Sequence, residues 1–240
     1  MSAVYDEGRA CPAEWLVGWR QAVGPHMRDL EGPVLDLGSG TGMWSHLFAE
    51  WFDVAVVGVE PSSGMRRQAL RKRSHSRVKY VGGEAEHLPL KDGACAAVWI
   101  SMVVHHIPDL EAGAREIRRV LRPGGPVLIR NAFSGRHQDI LWTRFFPSAL
   151  QLAERRHPSV EATAETFSPA GFEKESLQRV TEVSSSNLRE YAKRIETRAD
   201  STLALISDEE FQRGLGELRR AAESAPPSPV GAVLDLLVLR

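Results

Sequence analysis

The sequence predicts an α/β protein built on a doubly wound, mostly parallel sheet. The first observation is the regular alternation of short apolar segments with amphipathic segments between Val34 and Arg130. The second is the segment VLDLGSGTG, in which a buried strand runs into three glycines and then into a helical pattern. Alternating strands and helices form right-handed parallel crossovers, which place helices on both faces of one sheet.

The elements of the first half follow in order. An apolar face with Trp15, Leu16, Trp19 and Val23 predicts an N-terminal helix over about residues 13–28, which Pro33 separates from the first strand. Strands are predicted at 34–37, 54–60, 78–81, 96–100 and 127–130, and helices at about 42–52, 63–73 and 109–121. The helix at 42–52 is expected to bury Met43, Leu47, Phe48 and Trp51.

The pattern changes after Arg130. Residues 131–165 predict a mixed, mainly helical stretch, followed by a sixth strand near 175–181, helices at about 187–199 and 208–223, a proline-rich linker and a last strand at 233–239. We therefore expect a single domain overall with three parts. These are an N-terminal helical cap (1–32), a ligand-binding core (33–130) and a C-terminal part (131–240) that supplies a substrate cap and completes the sheet.

Composition excludes several classes of function. The formal net charge of −1 over 240 residues argues against a protein built to bind nucleic acid or an anionic membrane. The basic run in residues 66–73 indicates a solvated helix face.

Cys11 and Cys95 give neither a disulfide framework nor a metal-ligand spacing, so we expect no metal. With no signal-peptide pattern and no apolar run long enough to span a bilayer, we expect a soluble cytoplasmic protein. The oligomeric state stays open.

Candidate ligand contacts follow each of the first four predicted strands. They are the glycines at 38, 40 and 42, then Glu60, the segment 84–86 and the segment 101–103. Ligands of open α/β sheets bind at these carboxyl ends. The glycines alone also fit a tight turn without a ligand. Their GxGxG spacing differs from the GxGxxG of dinucleotide sites, and no Gly-Lys-Ser/Thr phosphate loop is present. The loop therefore suits a nucleotide-like ligand without phosphates.

Four segments together resemble the core of the class I S-adenosylmethionine-dependent methyltransferases, in the subgroup similar to ubiquinone-biosynthesis methyltransferases. They lie within residues 33–131 and read VLDLGSGTG, VVGVEPSSGM, VGGEAEHLPLKDGACAAVWISMVVHHIPD and EIRRVLRPGGPVLI. The resemblance implies a Rossmann-like, seven-stranded sheet with an antiparallel last strand, to which the N-terminal helix and helical insertions add a cap. It also implies S-adenosylmethionine as the cofactor.

The resemblance further implies which residues bind that cofactor. It places Asp36 and Gly38 beside the methionine part, Glu60 at the ribose, Met65 against the adenine, and Ser101 and Met102 on the path to the sulfonium. Glu84 and Ala85 would meet the adenine edge, although many relatives carry Asp where this chain has Glu84. The remaining members of the cofactor-binding set are Ser39, Gly40 and Pro61.

Candidate catalytic and substrate residues are less sharply defined. His105 and His106 follow the fourth strand, where one of them can act as a general base or orient the acceptor. Both also fit as structural loop histidines. His137 and Asp139 are further candidates, and each is interpreted as solvated rather than catalytic. We expect an acceptor pocket whose apolar wall selects by shape, although plain packing explains the same aromatic residues. Its predicted substrate-binding residues are Trp15, Trp19, Asn131, Trp142 and Phe145.

The sequence therefore predicts an S-adenosylmethionine-dependent methyltransferase that acts on a small organic molecule or a short peptide in specialised metabolism. One alternative is a protein of the same fold that binds this cofactor but catalyses another reaction, such as a cyclisation. Another is an RNA or protein methyltransferase. The segment Ile100-Ser101-Met102-Val103 lowers the second alternative, because those enzymes often carry an NPPY-like tetrapeptide there. Whether the acceptor atom is O, N or C is not predicted.

Overall fold

Seven strands form one sheet, and the computed structural model describes residues 12–240. The strands are β1 (Val34–Leu37), β2 (Val56–Val59), β3 (Val78–Val81), β4 (Ala97–Ser101), β5 (Val127–Asn131), β6 (Lys174–Ser185) and β7 (Val230–Leu239). Their order across the sheet is β3-β2-β1-β4-β5-β7-β6. Neighbours among β1 to β5 pair in parallel, and β7 pairs antiparallel with β5. The predicted doubly wound, mostly parallel sheet with an antiparallel last strand is confirmed.

The central strands are apolar because both of their faces are covered. Every residue of β1 and β5 is buried, and four of the five residues of β4 are. At the edge, β3 is only half-buried. β6, at the other edge, is mostly exposed. The carboxyl ends of β1, β2 and β4 come into register, since Leu37 pairs with Val59 on one side and with Ile100 on the other.

Eight α-helices occur among residues 12–240. They are α1 (Val17–Val23), α2 (Met43–Phe52), α3 (Ser63–Lys72), α4 (Leu110–Val120), α5 (Pro147–Arg156), α6 (Val160–Phe167), α7 (Leu188–Glu196) and α8 (Asp208–Ser224). Side chains begin five of them in the usual way, by accepting a hydrogen bond from a backbone N–H of the first turn. These N-caps are Ser62, Asp109, Ser159, Asn187 and Ser207. None of the helices described is long and apolar enough to cross a membrane.

The buried face of α2 differs from the predicted one. Phe48 is buried as expected, but Trp44 and Ser45 are buried in place of Met43, Leu47 and Trp51, which stay partly exposed. The residue before the helix, Gly42, has a left-handed backbone that sets the phase of the first turn. The Trp44 ring then packs on Trp99 of β4 at 4.9 Å between centroids. The helix is therefore rotated relative to the predicted orientation.

The chain forms two compact units. Unit A, as described, contains residues 12–19, 132–157 and 180–234; unit B contains Arg20–Asn131, Pro158–Arg179 and Asp235–Arg240. Within unit A, α7 packs on α8, and Phe146 stacks on Phe211 at 5.6 Å. Unit B contains β1 to β5 and the candidate cofactor residues. The predicted division of the chain at residues 32 and 130 stays a prediction, and Cys11 lies outside the described residues.

Candidate functional site

The glycine loop, residues 38–42, follows β1 and is anchored to the end of β2. The backbone N–H groups of Gly38 and Ser39 both donate to the carbonyl oxygen of Val59, at 2.8 and 3.1 Å. Gly38, Gly40 and Gly42 have φ angles of 71°, 56° and 82°. These left-handed conformations are costly for a residue with a Cβ. The three glycines are therefore required by the shape of the turn itself.

The space around each glycine separates their roles. A Cβ on Gly38 would lie 2.5 Å from Cγ2 of Val103, and one on Gly42 would lie 2.2 Å from the Tyr80 hydroxyl oxygen. Among residues 12–240, a Cβ on Gly40 would meet only the sulfur of Met65, at 3.9 Å. The sequence interpretation assigned all three to close approach of a ligand. The structure leaves only Gly40 open, since the protein's own side chains fill the other two positions.

Glu60 connects the end of β2 to the glycine loop. Its carboxylate is buried; one oxygen accepts from the backbone N–H of Gly40 at 3.0 Å and the other from that of Ser62 at 2.9 Å. Each carboxylate oxygen has capacity for a further hydrogen bond. The buried hydroxyl oxygen of Ser39, which would lie 2.8 Å from a Cβ added to Gly58, has no hydrogen-bond partner within residues 12–240. A fixed carboxylate, a spare hydroxyl and the open side of Gly40 fit a ligand rich in hydroxyl and amino groups.

Asp36 is buried within β1, directly before the loop. Its carboxylate accepts from the Ser45 hydroxyl at 2.6 Å. Burial raises the pKa of Asp36 to about 7, the Ser45 hydrogen bonds oppose that shift, and the charge of Glu60 adds to it. Asp36 is therefore an acid that changes charge near neutral pH.

A pH-dependent effect on stability follows from Asp36. Because its pKa is raised in the folded protein, the folded state holds the proton more tightly, and the free energy of unfolding falls as pH rises from about 4 to about 7. Asp36→Asn lacks this loss, so we expect it to gain on the order of 2–4 kcal/mol relative to the native chain between pH 4 and pH 8. Denaturant unfolding of both proteins across this range measures the difference. A difference that stays constant with pH would contradict the prediction.

The turn after β4 reaches the glycine loop from the other side. Met102 has a left-handed φ of 56°, and its N–H donates to the carbonyl oxygen of Arg130 at 2.8 Å. The Arg130 guanidinium donates to the Ser101 hydroxyl at 3.2 Å and lies 5.4 Å from the centre of the Trp44 ring. This sharp turn brings Val103 against Gly38. The ends of β1, β2 and β4 therefore converge at one place.

The remaining predicted cofactor and catalytic residues lie at the same ends of the strands. Met65 is in the first turn of α3, Pro61 is exposed just before it, and after β3 Glu84 is exposed while Ala85 is buried. His105 and His106 form the short turn Val104–His106, with 4.1 Å between their ring centroids. His105 is partly buried and His106 is exposed. Their contacts with a ligand stay predictions.

The predicted substrate residues differ in how much surface they offer. Trp15 and Phe145 are partly exposed, Trp142 is largely buried, and Asn131 at the end of β5 is wholly buried. The Trp19 ring is also wholly buried, and its N–H donates to a Glu182 carboxylate oxygen at 2.7 Å. Trp19 therefore packs within this unit, and its contact with an acceptor stays a prediction, as do those of the other four residues.

His137 is buried, which corrects the interpretation that it is solvated. The His137 Nδ1 lies 2.8 Å from a Glu154 carboxylate oxygen, and the His137 Nε2 lies 3.0 Å from the His157 Nδ1. The His157 Nδ1 also lies 2.8 Å from the carbonyl oxygen of Ala132. Because a carbonyl only accepts, His157 Nδ1 carries a proton and His137 donates through its own Nδ1 to Glu154. Burial lowers the pKa of His157. Asp139, the other candidate, is partly exposed.

Two residues of the basic run make specific contacts rather than forming part of a solvated face. Arg66 donates to the carbonyl oxygens of Glu60 and Pro61, so it fixes the turn that carries Glu60. Arg73 donates to the carbonyl and hydroxyl oxygens of Thr41 in the glycine loop. Sequence reasoning missed both contacts. Arg73 lies 32 residues from Thr41, and although Arg66 is only five and six residues from its partners, no local pattern marks a side chain that bonds to backbone carbonyls. Their neighbours Arg67 and Arg71 are exposed as predicted.

With this geometry established, comparisons with known proteins identify the family. A sequence model described as a methyltransferase domain matches residues 35–129. A ubiquinone/menaquinone biosynthesis C-methyltransferase of Shewanella sp. (strain ANA-3) is 30% identical over 174 residues, which cover 62% of this chain and 69% of the relative. The chain belongs to the class I S-adenosylmethionine-dependent methyltransferases, as its sequence motifs predict.

Two further comparisons define the limits of that likeness. A malonyl-[acyl-carrier protein] O-methyltransferase of Nitrosospira multiformis is 33% identical over 110 residues, 38% of this chain and 36% of the relative. The chain thus spans between about a third and a half of the first curated relatives it matches. A solved structure from Anabaena variabilis, assigned as a methyltransferase of an antibiotic biosynthesis pathway, has a TM-score of 0.71 at 22% identity, covering 96% of this chain and 99% of that one. This neighbour supports the fold.

Proposed function

We propose that the protein transfers a methyl group from S-adenosylmethionine to a small organic molecule or a short peptide in specialised metabolism. The observation that carries the proposal is the hydrogen bond between Gly40 and Glu60. The buried Glu60 carboxylate accepts from the Gly40 N–H at 3.0 Å, next to the space that the missing side chain of Gly40 leaves open. A biosynthetic acceptor is supported by the relative named for ubiquinone/menaquinone biosynthesis. That relative is named a C-methyltransferase and the other curated relative an O-methyltransferase. They leave the acceptor atom open. The cytoplasmic location likewise stays a prediction.

In this proposal the residues of the glycine loop and its neighbours bind the cofactor. Glu60 accepts the ribose hydroxyls with its remaining lone pairs, and the backbone at Gly40 lies against the ligand. Met65 packs on the adenine, Glu84 and Ala85 meet its edge, and Pro61 lies beside the ribose. Asp36, Gly38 and Ser39 face the methionine part. The buried hydroxyl of Ser39, which has no partner within the described chain, supports this arrangement.

When bound, S-adenosylmethionine supplies a methyl carbon that is activated by the sulfonium charge. The chain's contribution is then alignment, because holding the acceptor in line with the methyl and the sulfur lowers the barrier by removing rotational and translational freedom. Ser101 and Met102 line the approach. His105 or His106 takes the proton of an acceptor that arrives protonated. The predicted acceptor contacts stay Trp15, Trp19, Asn131, Trp142 and Phe145.

Formation of S-adenosylhomocysteine tests the proposal directly. The protein is incubated with S-adenosylmethionine and with separate pools of small phenols, quinols, carboxylic acids, amines and short peptides, with RNA and folded protein as further arms. We expect acceptor-dependent S-adenosylhomocysteine with one of the small-molecule or peptide pools. His105→Gln or His106→Gln is expected to lower kcat about 10²–10⁴-fold if that residue is the base. Turnover only with RNA or folded protein would contradict the proposal, as would cofactor binding without turnover in any arm, the result expected of a cyclase-like protein.

A further inference from the structure

The glycine loop is held on its back side by Arg73, the residue directly after α3. The Arg73 guanidinium nitrogen Nη1 donates to the carbonyl oxygen of Thr41 at 2.9 Å and to its hydroxyl oxygen at 3.1 Å. Thr41 and Gly42 are both buried, whereas Gly40 is the position that opens outward. One cation therefore fixes both the main chain and the side chain of Thr41.

Tyr80 on β3 makes the second contact with this back side. Its hydroxyl lies 3.3 Å from the carbonyl oxygens of Gly42 and Arg73. The ring occupies space that two missing Cβ atoms leave, since a Cβ on Gly42 would lie 2.2 Å from its hydroxyl oxygen and one on Gly58 would lie 2.8 Å from its Cδ1. Burial raises the pKa of Tyr80 to about 12, so the hydroxyl remains a donor. Tyr80 and Arg73 therefore contact both the loop and each other.

Contacts that fix a loop with three glycines reduce the entropy that the loop loses when it binds a ligand. Glycine loses more conformational freedom on ordering than other residues do. A site whose shape is already fixed avoids that cost at the moment of binding. We propose that Arg73 and Tyr80 are positioning residues that hold the glycine loop in its cofactor-binding shape, acting through Thr41 and Gly42 without being catalytic. The proposal rests on the proposed function, because it takes S-adenosylmethionine as the ligand of the loop.

Binding measurements on four variants test this role. Arg73→Met keeps the length of the side chain but removes its donors, Arg73→Lys keeps one charged donor, and Tyr80→Phe removes only a hydroxyl. Arg71→Met is the matched control, since Arg71 is exposed on the same helix. Calorimetric titration with S-adenosylhomocysteine is run at a temperature well below the Tm of each variant. Global destabilisation alone then leaves Kd unchanged, because nearly all molecules are folded.

We expect Arg73→Met to raise Kd about tenfold and Tyr80→Phe about threefold, with Arg73→Lys between Arg73→Met and the native chain, in line with the worth of one or two hydrogen bonds. Arg71→Met should leave Kd unchanged. Hydrogen exchange of residues 38–42 should rise in Arg73→Met and Tyr80→Phe only. If Arg73→Met does not fold, Tyr80→Phe and Arg73→Lys decide the matter.

The proposal is overturned if the native chain binds S-adenosylhomocysteine and these Arg73 and Tyr80 variants bind it equally well. It is also overturned if the Arg71 control loses as much affinity as Arg73→Met. Failure of the native chain itself to bind S-adenosylhomocysteine would instead contradict the proposed function, and with it the premise that this ligand occupies the loop. The two failures are therefore distinguishable in one set of titrations.

Discussion

Replacing Glu60 with alanine is expected to weaken the binding of S-adenosylhomocysteine about 100-fold or more, since hydrogen bonds to a charged group are worth about 1.5–3 kcal/mol each and two ribose hydroxyls are involved. The same change releases the backbone N–H groups of Gly40 and Ser62, which Glu60 holds at 3.0 and 2.9 Å. The variant therefore loses both a ligand contact and the anchor of the glycine loop. Calorimetric titration measures the change in Kd.

Two further variants interpret that result. Glu60→Gln keeps the shape but accepts hydrogen bonds with only one oxygen, so its Kd should lie between those of the native chain and Glu60→Ala. Glu111→Ala removes an exposed carboxylate from the first turn of α4 and should leave Kd unchanged. If folded Glu60→Ala binds within about threefold of the native chain, a difference below 1 kcal/mol, Glu60 does not contact the ligand.

Replacing Gly40 with valine is expected to weaken the binding of S-adenosylhomocysteine about 30-fold or more, because added methyl groups in a filled space cost about 1–3 kcal/mol or more. Without a ligand, a Cβ at this position meets only the Met65 sulfur, at 3.9 Å, in the part of the chain that the structure describes. The loss of affinity therefore depends on a ligand filling that space. The backbone strain at φ 56° should cost about 1–3 kcal/mol of stability.

Two other glycines separate strain from ligand contact. Gly124 has a φ of 76°, and no atom from residue 12 onward lies within 4 Å of an added Cβ there. Gly124→Val therefore carries the same kind of strain and should leave Kd unchanged. Gly38→Val drives a side chain into Val103, where a Cβ alone would lie at 2.5 Å, and should cost more stability than either. Native affinity in folded Gly40→Val would identify the loop as a plain turn.

Much of the sheet is predictable from sequence because its strands are apolar and sharply bounded. β1 and β3 have the predicted residues, since Pro33 and Gly38 enclose the first of them and Arg77 and Gly82 enclose the second. The edge strand β6 extends four residues beyond its predicted end at 181. Its mostly exposed residues give no alternating pattern, and its length is set by pairing rather than by its own composition.

The orientation of α2 was predicted wrongly because periodicity does not define where a helix begins. A left-handed Gly42 starts the helix at Met43, and tertiary packing on Trp99 then selects Trp44 for burial. The burial of His137 is likewise set by tertiary contacts. Its partners Glu154 and His157 lie 17 and 20 residues further along the chain, so its burial has no local signal.

The candidate cofactor site was predictable in its list of residues but not in its construction. The motifs mark Gly38, Gly40 and Glu60, yet only coordinates show that Val103 requires the first of these and that Glu60 holds the second. Arg73 and Tyr80 contact the loop from 32 and 38 residues away. Contacts of that separation are products of the fold, and a single sequence does not reveal them.

The central claim is that the glycine loop and Glu60 bind S-adenosylmethionine, and calorimetric titration with its product S-adenosylhomocysteine tests this most directly. NAD serves as the control ligand in a parallel titration, because the loop lacks the GxGxxG spacing of dinucleotide sites. We expect saturable binding of S-adenosylhomocysteine with Kd on the order of micromolar, about −8 kcal/mol, and no heat of binding for NAD. Saturable binding of NAD without a response to S-adenosylhomocysteine would contradict it.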